Sequence, residues 1–406
     1  MIHGAAAPGN GARGTRAPSD AAGSTRTYSP GRAAGLRSAA SLQGTGHNGL
    51  MPRSRPSRSR WPLAAGLAAG VVMDALLGDP RRGHPVAAFG RAATALEARD
   101  YADSRPRGTA HAAACILAVA VPAALLHRRT RAWPPAETAA VASAVWAVTG
   151  ARSLHHEAER ALAALSDHDL RSARAVLPSL CGRDPSTLDA IEITRAVVES
   201  VAENTSDAVV APLLWGAVAG LPGLVAYRAV NTLDAMVGHR SARYLRFGWA
   251  SARLDDVVNW VPARVTAALT AACAPLLPGS TPGAVLRVVR RDGGRHPSPN
   301  AGRCEAAFAG ALGIRLGGTN VYGGVAETRP ELGEGRSPEP GDIRRSVVLS
   351  RAVTVSATAL AVLIALRPYR ARVTGGAGSS APIRPAPRWR PTTAGGERIP
   401  RRRRSG

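Results

Sequence analysis

The chain has 406 residues and a formal net charge of +24, from 52 basic and 28 acidic side chains, and every basic residue is arginine. The surplus sits at the ends: residues 1–60 hold nine arginines and one acid, residues 367–406 hold eleven and one, and only +6 is left for the 306 residues between. A nucleic-acid binder should carry its charge on a folded face interleaved with aromatics, so tail-borne charge with 4% aromatic residues argues against that class. Cys115, Cys181, Cys273 and Cys304 form no CxxC pair and no finger-like spacing, which argues against a disulfide framework or a structural zinc.

In chain order, residues 1–60 are rich in Gly, Pro, Ser and Arg and show no periodic apolar face. Such a stretch buries too little surface to offset its ordering entropy. It is expected to be a disordered basic arm, or an over-extension ahead of a start at Met51. Residues 374–406 read as a second disordered tail. Residues 61–373 read as one membrane domain, built on the apolar windows Leu63–Leu77, Ala110–Leu126, Ala136–Gly150, Ala208–Val230, Val257–Leu277 and Val347–Leu366. A spanning helix needs about 20 apolar residues, so five spans are expected, with the Val257 window the weakest. Ala and Gly dominate the windows, which suits close helix packing in a membrane. The expected fold is all-α: a multi-pass integral membrane protein. Arginines in every loop leave the positive-inside rule little contrast.

The polar stretches carry the candidate chemistry. In LDAIEITRAVVESVAENTSDAVVAPL, a helix would align Glu192, Arg195, Glu199, Glu203 and Asp207 in one stripe. Like charges one turn apart repel, so Arg195 is expected to serve Glu199, and Glu203 with Asp207 to take a metal ion or a cationic substrate group. Asn204 lies inside this stretch. Next come Asn231 and Asp234, then Asp255, Asp256 and Asn259, whose three- and four-residue spacings share a helix face at the entry to an apolar window. Hard oxygen donors of this kind suit Mg²⁺ held together with substrate phosphate. A bland helix start with acids favoured by the macrodipole explains Asp255 and Asp256 almost as well. Two His-Pro turns, Asp79 to Pro85 and His296 to Asn300, place His84, His296 and Asn300 beside arginines. The backbone before a proline is extended. Gly317-Gly318 reads as a turn and matches no phosphate-binding fingerprint.

The segments LLGDPRRGHPV, VESVAENTSDAVVAPL, YRAVNTLDAMVGHRSARYLRFGWASARLDDVVNWVPAR and HPSPNAGRCEAAFAGALGIRLGG, in this order between apolar windows, resemble the CobD/CbiB family, the adenosylcobinamide-phosphate synthases. The resemblance covers roughly residues 63–366. It implies a multi-pass protein of the inner cell membrane that acts in cobalamin biosynthesis as an amide-forming ligase. The implied reaction joins a corrinoid propionate of adenosylcobyric acid to aminopropanol or its phosphate, in a lipid bilayer and without nucleic acid. Such a reaction calls for activation of the carboxylate, for which ATP and Mg²⁺ are expected. On this reading the catalytic candidates are Glu199, Glu203, Asp207 and His296. Asp79, His84, Arg195, Asn204, Asn231, Asp234 and Asn300 would bind substrate, and Glu203, Asp207, Asp255, Asp256 and Asn259 would hold the metal. The competing classes are a transporter using intramembrane carboxylates as an ion path and a membrane scaffold for corrinoid enzymes.

Overall fold

The computed structural model describes residues 60–79, 83–322 and 325–367. The two basic arms expected at the ends lie outside the described residues, apart from Arg60. Fourteen α-helices and one β-hairpin make up the described chain. The helices are α1 Trp61–Leu77, α2 Pro85–Asp100, α3 Arg105–Thr130, α4 Pro134–Val148, α5 Ala151–Ser166, α6 Leu170–Val176, α7 Ala190–Thr205, α8 Ala211–Leu233, α9 Tyr244–Phe247, α10 Trp249–Val258, α11 Trp260–Cys273, α12 Pro282–Asp292, α13 Ala301–Leu312 and α14 Pro340–Leu366. Strands β1 Leu316–Tyr322 and β2 Val325–Leu332 form the hairpin.

The hairpin corrects the all-α expectation. Its strands pair antiparallel, with Leu316 opposite Leu332 and Gly318 opposite Arg329. The register is irregular at Gly317 and Gly318, both at φ +88°. A Cβ on Gly317 would sit 2.2 Å from the Pro330 carbonyl oxygen. The Gly-Gly pair is therefore a bulge that lets the strands close past a proline, which has no N–H to give to a ladder, and not the turn its sequence suggested.

Small residues set the helix packing. A Cβ on Gly66 would lie 2.7 Å from the Val141 Cβ, and one on Gly70 would lie 2.4 Å from the Val145 Cβ. Their absence lets α1 and α4 approach closely, as small-residue faces do in membranes. Both helices are short, at 17 and 15 residues. Among the described residues, three helical stretches, Arg105–Thr130, Ala190–Gly238 and Pro340–Leu366, are long and apolar enough to cross a membrane by length and composition, and the bent pair α10 with α11 would make four. That corrects the expectation of five.

The stretch Ala190–Gly238 is not straight. Gly220 has φ +69° and ψ −158°, outside helical space, and Pro222 follows it. In a continuous helix Asp207 and Asn231 would be about 36 Å apart. Instead the Asn231 Nδ2 donates to the Asp207 Oδ2 at 3.3 Å. A Cβ on Gly223 would also meet the Trp215 carbonyl oxygen at 2.7 Å, eight residues back. The Ala208–Val230 window, expected as one span interrupted only by Arg228, is a helical hairpin folded at Gly220. The first arm is continuous with α7 and runs from Ala190 to Gly220, about 45 Å, while the return arm to Gly238 is about 27 Å, close to a hydrocarbon core of about 30 Å. The fold returns Asn231 to the level of Asp207.

Candidate active site

α7 begins on a capping box, in which the Asp189 side chain accepts from the Glu192 backbone and Glu192 reaches back to the Asp189 N–H. Ile193, Val197, Val201 and Ala202 are buried in the bundle, which leaves the Arg195–Glu199–Glu203–Asp207 stripe along another face of the helix. α7 then widens into a π-turn over Ser206–Val210 that carries Asp207, and α8 ends in a second π-turn, Asp234–Gly238, that carries Asp234. Such turns often mark functional sites. An added Cβ on Gly238 would lie 1.9 Å from the Asp234 Oδ1, so a larger residue there would turn the Asp234 carboxylate away.

Around Asp207 the polar groups interlock. The Asn231 amide bridges Asp207, at 3.3 Å, and the Asp255 Oδ1, at 3.5 Å. The Asn259 Nδ2 donates to the Asp255 Oδ2 at 3.0 Å. The Tyr227 hydroxyl lies 2.8 Å from the Asn259 Oδ1 and 3.1 Å from the Asp207 carbonyl oxygen. Asn259 is buried, so its side-chain oxygen is engaged inside the protein. Asp207, Asp234, Asp255 and Glu203 are near enough to feel one another's charge. Asp256 turns the other way, toward Arg253 at 3.5 Å, and its carbonyl oxygen accepts from the Asn300 Nδ2 at 2.8 Å.

The other half of the cluster is basic. The buried Glu199 pairs with Arg183 and accepts from the Gly317 N–H at 2.6 Å. The cation serving Glu199 is thus Arg183, which the sequence did not single out. Arg195 donates to the Thr319 carbonyl oxygen at 2.9 Å, tying α7 to β1. The His296 Nδ1 accepts from the Ser298 N–H at 3.0 Å. Its Nε2 lies 3.3 Å from the Arg329 Nη1 and 3.9 Å from the Glu305 Oε1. Burial, then the charges of Glu199 and Glu203, push Glu305 well above the usual carboxylate range. Glu203 is exposed at the junction of the two halves, within charge range of Arg329 and Arg183.

The remaining candidates lie at the rim. His84 caps α2, its Nδ1 accepting from the Val86 N–H at 3.2 Å, and its backbone is extended before Pro85 as the sequence implied. Burial, reinforced by Arg228, lowers its pKa against the pull of Asp79. The Asp79 Oδ1 and the Arg228 Nε are buried without a hydrogen-bond partner. Asn204 donates its amide to the Ser200 backbone and hydroxyl, at 2.9 and 3.2 Å, within α7. Glu305 and Arg329 were also missed. Glu305 sits in an Ala-rich helix where nothing in its spacing marks it, and Arg329 reaches the site through the unforeseen hairpin.

Among the described residues, no three His, Cys, Asp or Glu side chains are grouped tightly enough to hold a metal ion. The oxygen donors suit Mg²⁺ by chemistry, but a cation here would need water or substrate phosphate to complete its shell.

Fold and site together define a helical protein with helices of membrane-crossing length and a largely buried polar cluster that has an acidic and a basic half. Residues 67–350 match the family described as CobD/Cbib protein. The chain is 53% identical over 311 residues to the Cobalamin biosynthesis protein CobD of Mycobacterium tuberculosis, covering 76% of this chain and 98% of that one. It is 46% identical over 276 residues to the protein of that name in Geobacter metallireducens, covering 66% and 86%, and 39% identical over 313 residues to that of Rhodobacter capsulatus, covering 75% and 98%. The chain therefore belongs to the CobD/CbiB family. No solved structure matches it.

Proposed function

We propose that this protein is a multi-pass enzyme of the inner cell membrane that acts in cobalamin biosynthesis. It forms the amide between a propionate of adenosylcobyric acid and aminopropanol or its phosphate, giving adenosylcobinamide or its phosphate. The observation that carries the reading is the pairing of an acidic group with a basic one in a single polar cluster, which suits an amine and an activated carboxylate side by side. ATP with Mg²⁺ would supply the activation, turning the propionate oxygen into a phosphate leaving group as ADP departs. The Arg329 guanidinium, with His296 beside it, suits the anionic carboxylate and phosphate, while Arg183 stays with Glu199. Asp207, Asp234 and Asp255 suit the substrate ammonium, or the cation that accompanies phosphate. Bound as an ammonium, the amine sheds two protons: phosphate, leaving with the C–O electron pair as the nitrogen bonds the acyl carbon, carries off the second, and the first must go to a nearby base before attack. Glu203, exposed between the two halves, is the group assigned to take it.

The folded-back hairpin favours one other class, since transporters place sites at interrupted helices. Complementation of a strain unable to make cobinamide separates the readings. The enzyme reading expects the wild-type chain to complement and Glu203→Gln to fail at equal protein level. Complementation by Glu203→Gln would leave the scaffold reading standing. Uptake of a corrinoid by vesicles holding the chain, without amide product, would favour transport.

A further inference from the structure

α3 gives the molecule a ruler. Its apolar stretch starts at Ala110, and only 22% of its most apolar window is buried inside the protein. Arg105 and Arg107 at its N-terminus therefore mark where a bilayer's headgroups begin. α9 and α10 are fastened across this end. A Cβ on Gly108 would lie 1.8 Å from the Phe247 carbonyl oxygen, so the backbones touch. The Phe247 ring sits 5.2 Å from Tyr101 and 5.1 Å from His111.

α10 and the start of α11 have two faces. Ser251, Asp255 and Asn259, four residues apart, point inward, and the last two belong to the polar cluster. The outward side exposes Leu245, Trp249, Leu254, Val257, Trp260 and Val261, with Leu245 62% and Val257 71% exposed. Among them stand the exposed arginines Arg246 and Arg253, and guanidiniums cover the indoles: Arg105 lies 5.3 Å from Trp249 and Arg264 4.0 Å from Trp260. An open surface depression lined by Asp103, Ser104, Arg105, Pro106 and Arg246 lies beside this face, with Arg246 3.8 Å from the exposed Asp103 carboxylate. An apolar stripe edged by tryptophan and arginine, held at headgroup level, has the composition of an element lying in the membrane interface.

We infer that α9 and α10 lie in the membrane surface and that their outer face binds anionic phospholipid. Arg105 and Arg246 meet the headgroup phosphate at the depression, and the apolar stripe enters the acyl boundary. The inner face of the same helix carries Asp255, which sets the acidic half of the site close to headgroup level. Amine and nucleotide then reach it from water, with no passage through the bilayer. The inference rests on the membrane reading above.

Leu245→Cys, Val257→Cys and, as a control on α6, Arg171→Cys are single exposed positions suited to a fluorophore. The labelled full chains are placed in phosphatidylcholine vesicles carrying a headgroup nitroxide, with and without phosphatidylglycerol. Labels at 245 and 257 should be quenched about twofold or more beyond the control, and Arg105→Gln with Arg246→Gln should remove the gain that phosphatidylglycerol adds. Equal quenching at all three positions overturns the inference. So do labels shielded from both lipid and water in a two-copy particle, which would make this face a contact between chains. Indifference to phosphatidylglycerol overturns the anionic assignment. A chain extracted by carbonate fails the membrane reading, whereas one that stays in the membrane with unquenched labels fails only this one.

Discussion

Glu199 is the best-anchored acid of the cluster, held by Arg183 on one side and by the Gly317 N–H on the other. Removing one partner of a buried pair leaves the other charge uncompensated, which costs about 3–5 kcal/mol. Glu199→Ala should therefore lower the thermal midpoint in detergent and loosen the β-hairpin. Glu203 is exposed, and no ion pair to it is seen among the described residues, so Glu203→Gln should leave the midpoint near wild type while abolishing turnover. Thermal unfolding and product formation measured on both variants separate the roles, and loss of stability in Glu203→Gln would count against a catalytic carboxylate. His155 gives a pH prediction. It is buried against the Ser350 hydroxyl, 2.9 Å from its Nε2, and burial, aided by Arg351, takes its pKa down to about 4. The unfolded chain binds this proton near pH 6.5 and the folded chain only near 4, so stability is full above 6.5 and falls between 6.5 and 4. The loss is about 3 kcal/mol at the acid end, and His155→Gln should flatten that part of the pH profile. At this scale the sequence showed the acids well, because helical spacing alone puts Glu199, Glu203 and Asp207 on one stripe. It could not show Arg183 or Arg329, which join the site only through tertiary contacts.

The element on which the site depends is the hairpin at Gly220. Its φ of +69° lies where side chains are strained, and an added Cβ would stand 3.1 Å from the His127 ring. Gly220→Ala should cost about 1–3 kcal/mol of stability and, by shifting Asn231 against Asp207, reduce activity further than the unfolding shift accounts for. A variant as stable and active as wild type would contradict the account of this turn. Hydropathy cannot reveal the fold-back, since an apolar window reads the same whether the chain crosses or returns. The clue was local: Gly220-Leu221-Pro222-Gly223 places a proline and two glycines inside the window, the residues that interrupt helices. The β-hairpin was hidden in the same way, because Gly317-Gly318 looks like a turn until its partner strand is seen. The His-Pro turns were legible, since proline restricts the preceding backbone in any context.

For the whole molecule, three helical stretches of membrane-crossing length and the outward apolar residues of α3 and α14 leave apolar surface with no soluble partner among the described residues. The chain should stay in the pellet after carbonate washing of membranes, and release into the supernatant would contradict the membrane reading. The central claim, however, is chemical. It is tested most directly by giving the purified chain, in detergent or vesicles, adenosylcobyric acid with aminopropanol or its phosphate, with and without ATP and Mg²⁺, and following the product by mass. The account predicts a new amide on the corrinoid that requires ATP and Mg²⁺ and is absent with Glu203→Gln. Recovery of unchanged adenosylcobyric acid from folded wild-type protein under every condition would contradict it.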